Sequence, residues 1–194
     1  MIIDCIADLH GHYPKLEGGD LLIVAGDLTA RDKPEEYFKF SVWLSKQEYR
    51  RIIIISGNHD NFIASGNPMW KNMLPQKATY HCDSGTEFEG LKIWGSPWSK
   101  TFEGMNPTCK AFTVDTEDEL MDKFETIPHD TDILITHSPA YSILDKVTEG
   151  YSVGSAALYN WLKYVERPKL HVFGHIHEAY GKIEFFPTYE DKMM

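Results

Sequence analysis

The chain has 194 residues, of which 42% are hydrophobic and 13% aromatic, and its formal net charge is −10. This length suits one core, so residues 1–194 are predicted to form a single domain. No run approaches the ~20 apolar residues of a membrane span, and the first residues lack a secretory signal pattern, so we expect a cytoplasmic protein without a membrane partner. The negative charge disfavours stable binding to a nucleic acid backbone.

The cysteines argue against two kinds of covalent or metal cross-link. Cys5, Cys82 and Cys109 are odd in number and widely spaced, without any Cys-x-x-Cys pair. This pattern fits neither a disulfide framework nor a structural zinc site. We therefore expect three reduced thiols.

The first two predicted strands each end in groups that can bind a metal. The apolar run from Ile2 to Ala7 leads into Asp8 and His10, whose side chains point to the same side if the backbone is extended. The buried run from Leu21 to Ala25 leads into Gly26 and Asp27. Either ending alone is more often ordinary loop chemistry than a ligand site.

A helix and a third strand come next. Asp32 and Glu35 predict a capping box for a helix with apolar residues at helical spacing. The four isoleucines at 52–55 predict a strand buried on both faces, and Ser56-Gly57-Asn58-His59-Asp60 follows it. A strand, a helix and a strand in this order predict a right-handed crossover with parallel pairing.

The middle of the chain predicts a second, mixed sheet. Residues 79–82 and 86–89 are predicted to form a hairpin around Asp83-Ser84-Gly85, with another strand at 91–94. Thr116 and Glu119 predict a second capping box.

The last third repeats the pattern of a strand followed by imidazoles. The strand at 133–135 leads to His137, and the run at 171–173 leads to His175 and His177. Ser155 is predicted to cap the helix between them, and residues 181–186 to form a final strand.

Five apolar runs thus end in carboxylate, amide or imidazole groups. A pair of divalent ions about 3.5–4 Å apart needs a bridging carboxylate with nitrogen and oxygen ligands from several segments, and it suits phosphoryl transfer. The five endings predict such a centre. They are Asp8 with His10, Asp27, Asn58 with His59, His137, and His175 with His177.

These motifs, in this order, resemble those of the calcineurin-like metallophosphoesterases. The stretches at 94–98 and 167–178 further resemble the MPPED (metallophosphoesterase-domain) branch, whose members act on cyclic nucleotides and related phosphodiesters. The resemblance implies an α/β fold, a four-layer α/β/β/α sandwich of two mixed sheets flanked by helices.

The resemblance also implies a role for each motif residue. One ion would be held by Asp8, His10 and His177, the other by Asn58, His137 and His175, with Asp27 bridging them. A hydroxide between the ions would attack phosphorus, and His59 would protonate the leaving oxygen. Nitrogen and oxygen ligands favour Mn²⁺, with iron or Zn²⁺ as alternatives.

One position departs from the family pattern. Some relatives have an acid three residues after the bridging aspartate that orients the histidine, and here that residue is Ala30. Asp60 is the candidate for this catalytic role. The candidate substrate contacts are Asn58 and His59, Arg31 for phosphate, and Trp98 and Tyr141 for stacking, against the alternatives of a solvated arginine and packed aromatic rings.

Three functions remain open at this point. The favoured one is a phosphodiesterase acting on a small phosphodiester or nucleotide, with Trp98→Ala expected to raise KM. The alternatives are a phosphomonoesterase, including a protein phosphatase, and a metal-free scaffold on the same fold. The sequence leaves the oligomeric state open.

Overall fold

The computed structural model describes residues 1–165 and 168–184. Its first sheet is wholly parallel, with strands in the order β1-β2-β3-β4. These strands are β1 (Ile3–Ile6), β2 (Gly19–Ala25), β3 (Tyr49–Ile55) and β4 (Ala78–Tyr80). Parallel pairing brings all four carboxyl ends to one edge.

The second sheet is mixed and has the order β10-β9-β6-β5, in which only the β5–β6 pair is antiparallel. A short parallel pair, β7–β8, lies apart from it. The strands are β5 (Ser84–Phe88), β6 (Leu91–Ser96), β7 (Ser99–Lys100), β8 (Thr113–Val114), β9 (Ile133–Thr136) and β10 (Leu170–Val172).

Helices cover the outer faces of the two sheets. The first sheet is covered by α1 (Pro34–Ser45) and α3 (Met69–Met73), and the second by α4 (Glu117–Phe124) and α5 (Ala156–Tyr164). The short α2 (Asn61–Ala64) follows β3 directly, and a 3₁₀ turn spans His177–Ala179. None of the helices in the described ranges has the length and apolar character needed to cross a bilayer.

The isoleucine strand β3 shows why the layers form. Ile53 and Ile55 pack between the two sheets, whereas Ile52 and Ile54 pack against the helices on the outer face. All four side chains are fully buried, and burial of one such side chain stabilises the fold by about 1.5–3 kcal/mol. The predicted α/β/β/α sandwich is confirmed, except that the first sheet is parallel throughout the described residues and only the second is mixed.

Some local predictions are wrong. The predicted hairpin does not form, because residues 78–80 join the first sheet as β4 and the hairpin instead connects β5 to β6. Helix α1 is capped one residue later than predicted, with Lys33 at the cap and Glu36 accepting its backbone N–H. The helix caps at Thr116 and Ser155 are confirmed. No strand forms at 181–184, and residues 185–186 of that prediction lie outside the described residues.

Candidate metal centre

The loops after β1, β2, β3, β9 and β10 converge at one edge of the sandwich. They are joined by backbone hydrogen bonds, among them Asp8 N to Gly26 O at 3.1 Å, His10 N to Asp27 O at 2.8 Å and Gly174 N to His137 O at 3.0 Å. Four site residues have left-handed backbone angles, with φ of 50° at Asp8, 42° at His10, 52° at Asp27 and 74° at His175. Such conformations are unfavourable for residues other than glycine, and they concentrate at functional sites.

Asp27 lies at the centre of this edge. Its carboxylate is 2% exposed; Oδ1 lies 3.5 Å from His137 Nε2, and Oδ2 lies 3.6 Å from His10 Nε2. The backbone N–H of His59 donates to Oδ1 at 3.0 Å. One oxygen therefore faces each of the two predicted ligand sets, which is the arrangement a bridging carboxylate needs.

The first ligand set comes together on one side of Asp27. His10 Nε2 and His177 Nε2 are 3.3 Å apart, and His177 Nε2 lies 3.7 Å from Asp8 Oδ1. The Asp8 carboxylate is held in place by the backbone N–H of His175, at 3.0 and 2.9 Å from its two oxygens.

The second ligand set comes together around one amide oxygen. Asn58 Oδ1 lies 3.0 Å from His137 Nε2 and 3.0 Å from His175 Nδ1. The amide nitrogen of Asn58 donates to the carbonyl of Cys109 at 3.0 Å, so the oxygen is the atom turned toward the imidazoles. Since Asn58 is buried, this geometry favours its role as a ligand over a contact with substrate.

The residues present fit a pair of divalent ions. In three groups the potential ligand atoms all lie within 4.8 Å of one another: Asp8 with His10 and His177, Asp27 with His10 and His59, and Asp27 with Asp8 and His137. The donors are carboxylate and amide oxygens, which suit manganese, and imidazole nitrogens, which suit iron and zinc. Glycine leaves room for them, since a Cβ at Gly57 would collide with Asp27 Oδ1 and His137 Cε1. The assignment of these residues as ligands stays a prediction.

The environment keeps two of the imidazoles, those of His175 and His10, in the neutral form that binds metal. Burial, followed by the neighbouring His137 ring, lowers the pKa of His175 to about 3, and burial also lowers the pKa of His10. Burial opposes the charge of Asp27, but His137 and His59 beside it hold its pKa below the usual value. Burial opposes the charged ring of His137, but the neighbouring Asp27 and Asp8 carboxylates outweigh it and raise the pKa of this histidine. A charged carboxylate beside the neutral rings of His175 and His10 is therefore available at neutral pH.

Asp60 does not orient His59, contrary to the prediction. Its carboxylate is fully buried and accepts hydrogen bonds from Gly57 N at 2.7 Å, Asp27 N at 3.1 Å and Leu28 N at 3.1 Å. The hydroxyl oxygen of Tyr37 lies 3.1 Å from Asp60 Oδ1. Burial and the nearby Asp27 charge raise the pKa of Asp60 to about 7. Asp60 thus fixes the backbone on both sides of Asp27 and acts as a positioning residue.

We expect Asp60→Ala to destabilise the protein by about 3–5 kcal/mol, because it leaves several buried donors without an acceptor and each costs about 1–3 kcal/mol. Urea unfolding followed by circular dichroism measures this change. Asp118→Ala, on the surface of α4, provides the control and should change stability by less than about 0.5 kcal/mol. A loss below about 1 kcal/mol for Asp60→Ala would show that these bonds do not hold the Asp27 loop.

The ring of His59 lies between Asp27 and the loop that carries Cys109. His59 Nε2 is 3.8 Å from Asp27 Oδ2, while its Nδ1 lies 3.4 Å from the thiol sulfur of Cys109. The same Cys109 accepts from Asn58 through its carbonyl. Cys109 therefore occupies the place beside His59 that was predicted for an acid.

A cavity of about 470 Å³ opens beside His59. Arg31 lines it, which supports the predicted substrate contact over an ordinary surface arginine. The cavity is also lined by Lys33, Asn61, Asn106, Thr108 and Cys109. None of these five residues belongs to a metal-binding motif of the sequence, although Asn61 directly follows the Asn-His-Asp motif.

The two aromatic substrate contacts are not placed at this cavity. Trp98 donates its indole N–H to Asp83 Oδ2 at 2.6 Å, and the Lys123 ammonium lies 4.1 Å from the centre of a Trp98 ring. Tyr141 is 44% exposed and packs edge-on against Tyr159. Neither residue lines the cavity beside His59. The substrate contacts of Trp98 and Tyr141, and the expected KM effect of Trp98→Ala, stay predictions that this cavity does not support.

Comparisons with known proteins agree with this geometry. The sequence profile described as calcineurin-like phosphoesterase matches residues 1–179. Metallophosphoesterase domain-containing protein 1 of Homo sapiens is 34% identical over 202 residues, which cover 91% of this chain and 60% of the human protein. A UPF0046 protein of Caenorhabditis elegans is 33% identical over 209 residues, with 91% of this chain and 51% of that protein covered.

A third relative is much larger than the matched region. The Emericella nidulans protein named probable rhamnogalacturonate lyase C is 38% identical over 189 residues, covering 92% of this chain but 17% of that protein. The chain spans about half to three fifths of the length of the human and nematode relatives. These matches confirm the resemblance to the MPPED branch, and the chain belongs to the calcineurin-like phosphoesterase family.

Proposed function

We propose that the protein is a phosphodiesterase that uses two divalent ions, with Mn²⁺ favoured and iron or Zn²⁺ as alternatives, and acts on small substrates such as cyclic nucleotides. The observation that carries the proposal is the position of Asp27, which turns one carboxylate oxygen toward each ligand set with His59 beside it. Family membership supports a metal-dependent phosphoesterase.

When bound, the two ions would activate water and neutralise charge on the phosphoryl oxygens. Asp8, His10 and His177 would hold one ion, and Asn58, His137 and His175 would hold the other. The loops that carry them are tied together by backbone hydrogen bonds, so little reorganisation is needed on binding.

His59 supplies the proton for the leaving group. Its side chain is 35% exposed, so a substrate can reach the ring, and Nε2 points toward the Asp27 cluster. The opposite ring nitrogen faces Cys109 Sγ, which fixes the orientation of the ring. A histidine so placed can protonate an alkoxide as the phosphorus–oxygen bond breaks.

A phosphate monoester carries about −1.5 to −2 at pH 7, whereas a diester carries one negative charge. Two divalent ions would supply positive charge for either substrate, so the preference for a diester rests on the resemblance of the chain to the MPPED branch. The cations that the structure describes beside His59 are Arg31 and Lys33, and they line the neighbouring cavity. The chain also retains the candidate ligands and His59, which argues against a scaffold.

The expected result in a direct assay is that bis-p-nitrophenyl phosphate is hydrolysed with a kcat/KM at least about tenfold above that of p-nitrophenyl phosphate, a difference of about 1.4 kcal/mol. The assay uses protein reconstituted with Mn²⁺, and 2′,3′- and 3′,5′-cyclic nucleotides are tested in parallel. Turnover of monoesters or phosphopeptides well above every diester would instead identify a phosphatase. A cytoplasmic location stays a prediction from the sequence.

A further inference from the structure

The cavity beside His59 lies where a leaving group would extend from the site. His59 Nε2 faces Asp27 at 3.8 Å, and the same ring lines the cavity. If His59 protonates the leaving oxygen, the rest of the leaving alcohol must lie near this ring. At about 470 Å³ the cavity is within the range of small-molecule sites, about 300–1,000 Å³.

The walls of this cavity are polar and cationic. Arg31 and Lys33 line it, and neither side chain forms an ion pair within the part of the chain that the structure describes. Asp32 also lines it, but its Oδ1 accepts from the Tyr37 hydroxyl at 2.6 Å and from Phe62 N at 3.0 Å. The carboxylate of Asp32 is therefore held in place by the protein, and its single negative charge leaves the two cations in excess beside the cavity.

The far wall is fixed by hydrogen bonds of its own. Asn106 Oδ1 accepts from Thr108 N at 3.0 Å and from Thr108 Oγ1 at 2.8 Å, and Asn61 Nδ2 donates to Thr108 O at 2.6 Å. The carbonyl end of Asn106 is thus occupied, and its amide nitrogen has no partner recorded in the described residues. The wall adds hydrogen-bond donors to the two cations.

The cavity has no platform for a flat ring. Apart from the imidazole of His59, none of the described residues that line it is aromatic. A base or aryl group gains about 1–3 kcal/mol by stacking on an aromatic side chain. The described lining of this cavity contains no phenylalanine, tyrosine or tryptophan for such stacking. Two cations and amide donors instead suit the oxygens of a second phosphate.

We infer that this cavity binds a phosphate group on the leaving alcohol, so that the preferred substrate is a phosphodiester whose leaving group carries a second phosphate. The inference rests on the proposed function. In the reaction, water forms the new bond to phosphorus and loses a proton to solvent, and the bond from phosphorus to the leaving oxygen breaks. The leaving oxygen receives a proton from His59, which regains one from solvent. The second phosphate takes no part in the chemistry and is held by Arg31 and Lys33.

A matched pair of substrates tests the inference. Adenosine 2′,3′-cyclic phosphate and its 5′-phosphorylated form differ only in a phosphate on the ribose that serves as leaving group. We expect the phosphorylated form to have a kcat/KM about ten- to hundredfold higher, mainly through KM, since hydrogen bonds to charged groups have this effect. The advantage should shrink as salt is added.

Variants of the two cations show whether the cavity causes the preference for the phosphorylated substrate. Arg31→Gln and Lys33→Gln should each reduce the ratio between the two substrates, and the double variant should bring it close to one. Arg50→Gln is the control, because Arg50 pairs with Asp20 and Glu89 away from this cavity, and it should keep the ratio.

The outcomes separate the inference from the proposed function. Equal kcat/KM for the two cyclic phosphates, or an advantage that survives in the double variant, overturns the role of the cavity while the phosphodiesterase stands. Hydrolysis of monoesters with neither cyclic phosphate opened overturns the proposed function and the inference together.

Discussion

Asp27→Ala should remove both metal ions together and lower kcat/KM on a diester by about 10³- to 10⁴-fold, equivalent to about 4–5.5 kcal/mol. The reason is that one carboxylate faces both ligand sets, at 3.6 Å from His10 Nε2 and 3.5 Å from His137 Nε2. Loss of the Asp27 carboxylate weakens both metal sites. It also leaves the imidazoles of the two ligand sets close together without a negative charge between them.

Metal content measured by elemental analysis after reconstitution and gel filtration checks this directly. Wild-type protein should carry two ions per chain, and Asp27→Ala close to none. His177→Ala should retain the ion held by the other set, since His177 belongs to the Asp8 and His10 group. Asp20→Ala, at an exposed ion pair with Arg50, should retain both. At most one ion in the wild-type protein would contradict the dinuclear centre.

The sequence predicts the fold correctly where the pattern of apolar residues matches the burial of the strand or helix that they form. The isoleucines of β3 are apolar in an unbroken run because both faces of the strand are buried, and the run ends where the loop reaches the site. Five such endings could be found without knowing how the sheets pair, because carboxyl ends of parallel strands meet at one edge.

The predictions from sequence that are wrong concern features that tertiary contacts decide. Residues 78–80 have no local feature that decides between a hairpin and a parallel strand beside β3, and packing against the first sheet decides it. Asp60 follows a histidine and looks catalytic in sequence, but the turn folds its carboxylate back under the backbone of Gly57 and Asp27.

The contribution of Cys109 is the clearest case of a residue that sequence reasoning misses. It lies 50 residues from His59 and 51 from Asn58, yet it contacts the ring of one and the amide of the other. No spacing rule connects positions so far apart, and the loop that carries Cys109 has no periodic pattern. Only the packing of that loop over the Asn58-His59 turn reveals it.

His59→Ala should keep both metal ions and lower kcat by about 10²- to 10⁴-fold on substrates with poor leaving groups. His59 Nε2 lies 3.8 Å from Asp27 Oδ2, which is close enough for the ring to act as a metal ligand instead. The metal content of the variant is therefore measured together with its activity. A cyclic nucleotide, whose leaving alkoxide needs a proton, should show the full loss. Bis-p-nitrophenyl phosphate should lose less, because p-nitrophenolate leaves readily without one.

Two further variants make the result specific to the His59 ring. Cys109→Ala removes the sulfur that lies 3.4 Å from Nδ1 while the backbone carbonyl that holds Asn58 remains, so a smaller loss with the same dependence on leaving group is expected. His129→Ala changes an exposed histidine and should leave both rates unchanged. If His59→Ala slows both substrates equally or loses an ion, His59 binds metal and the proton must come from another group.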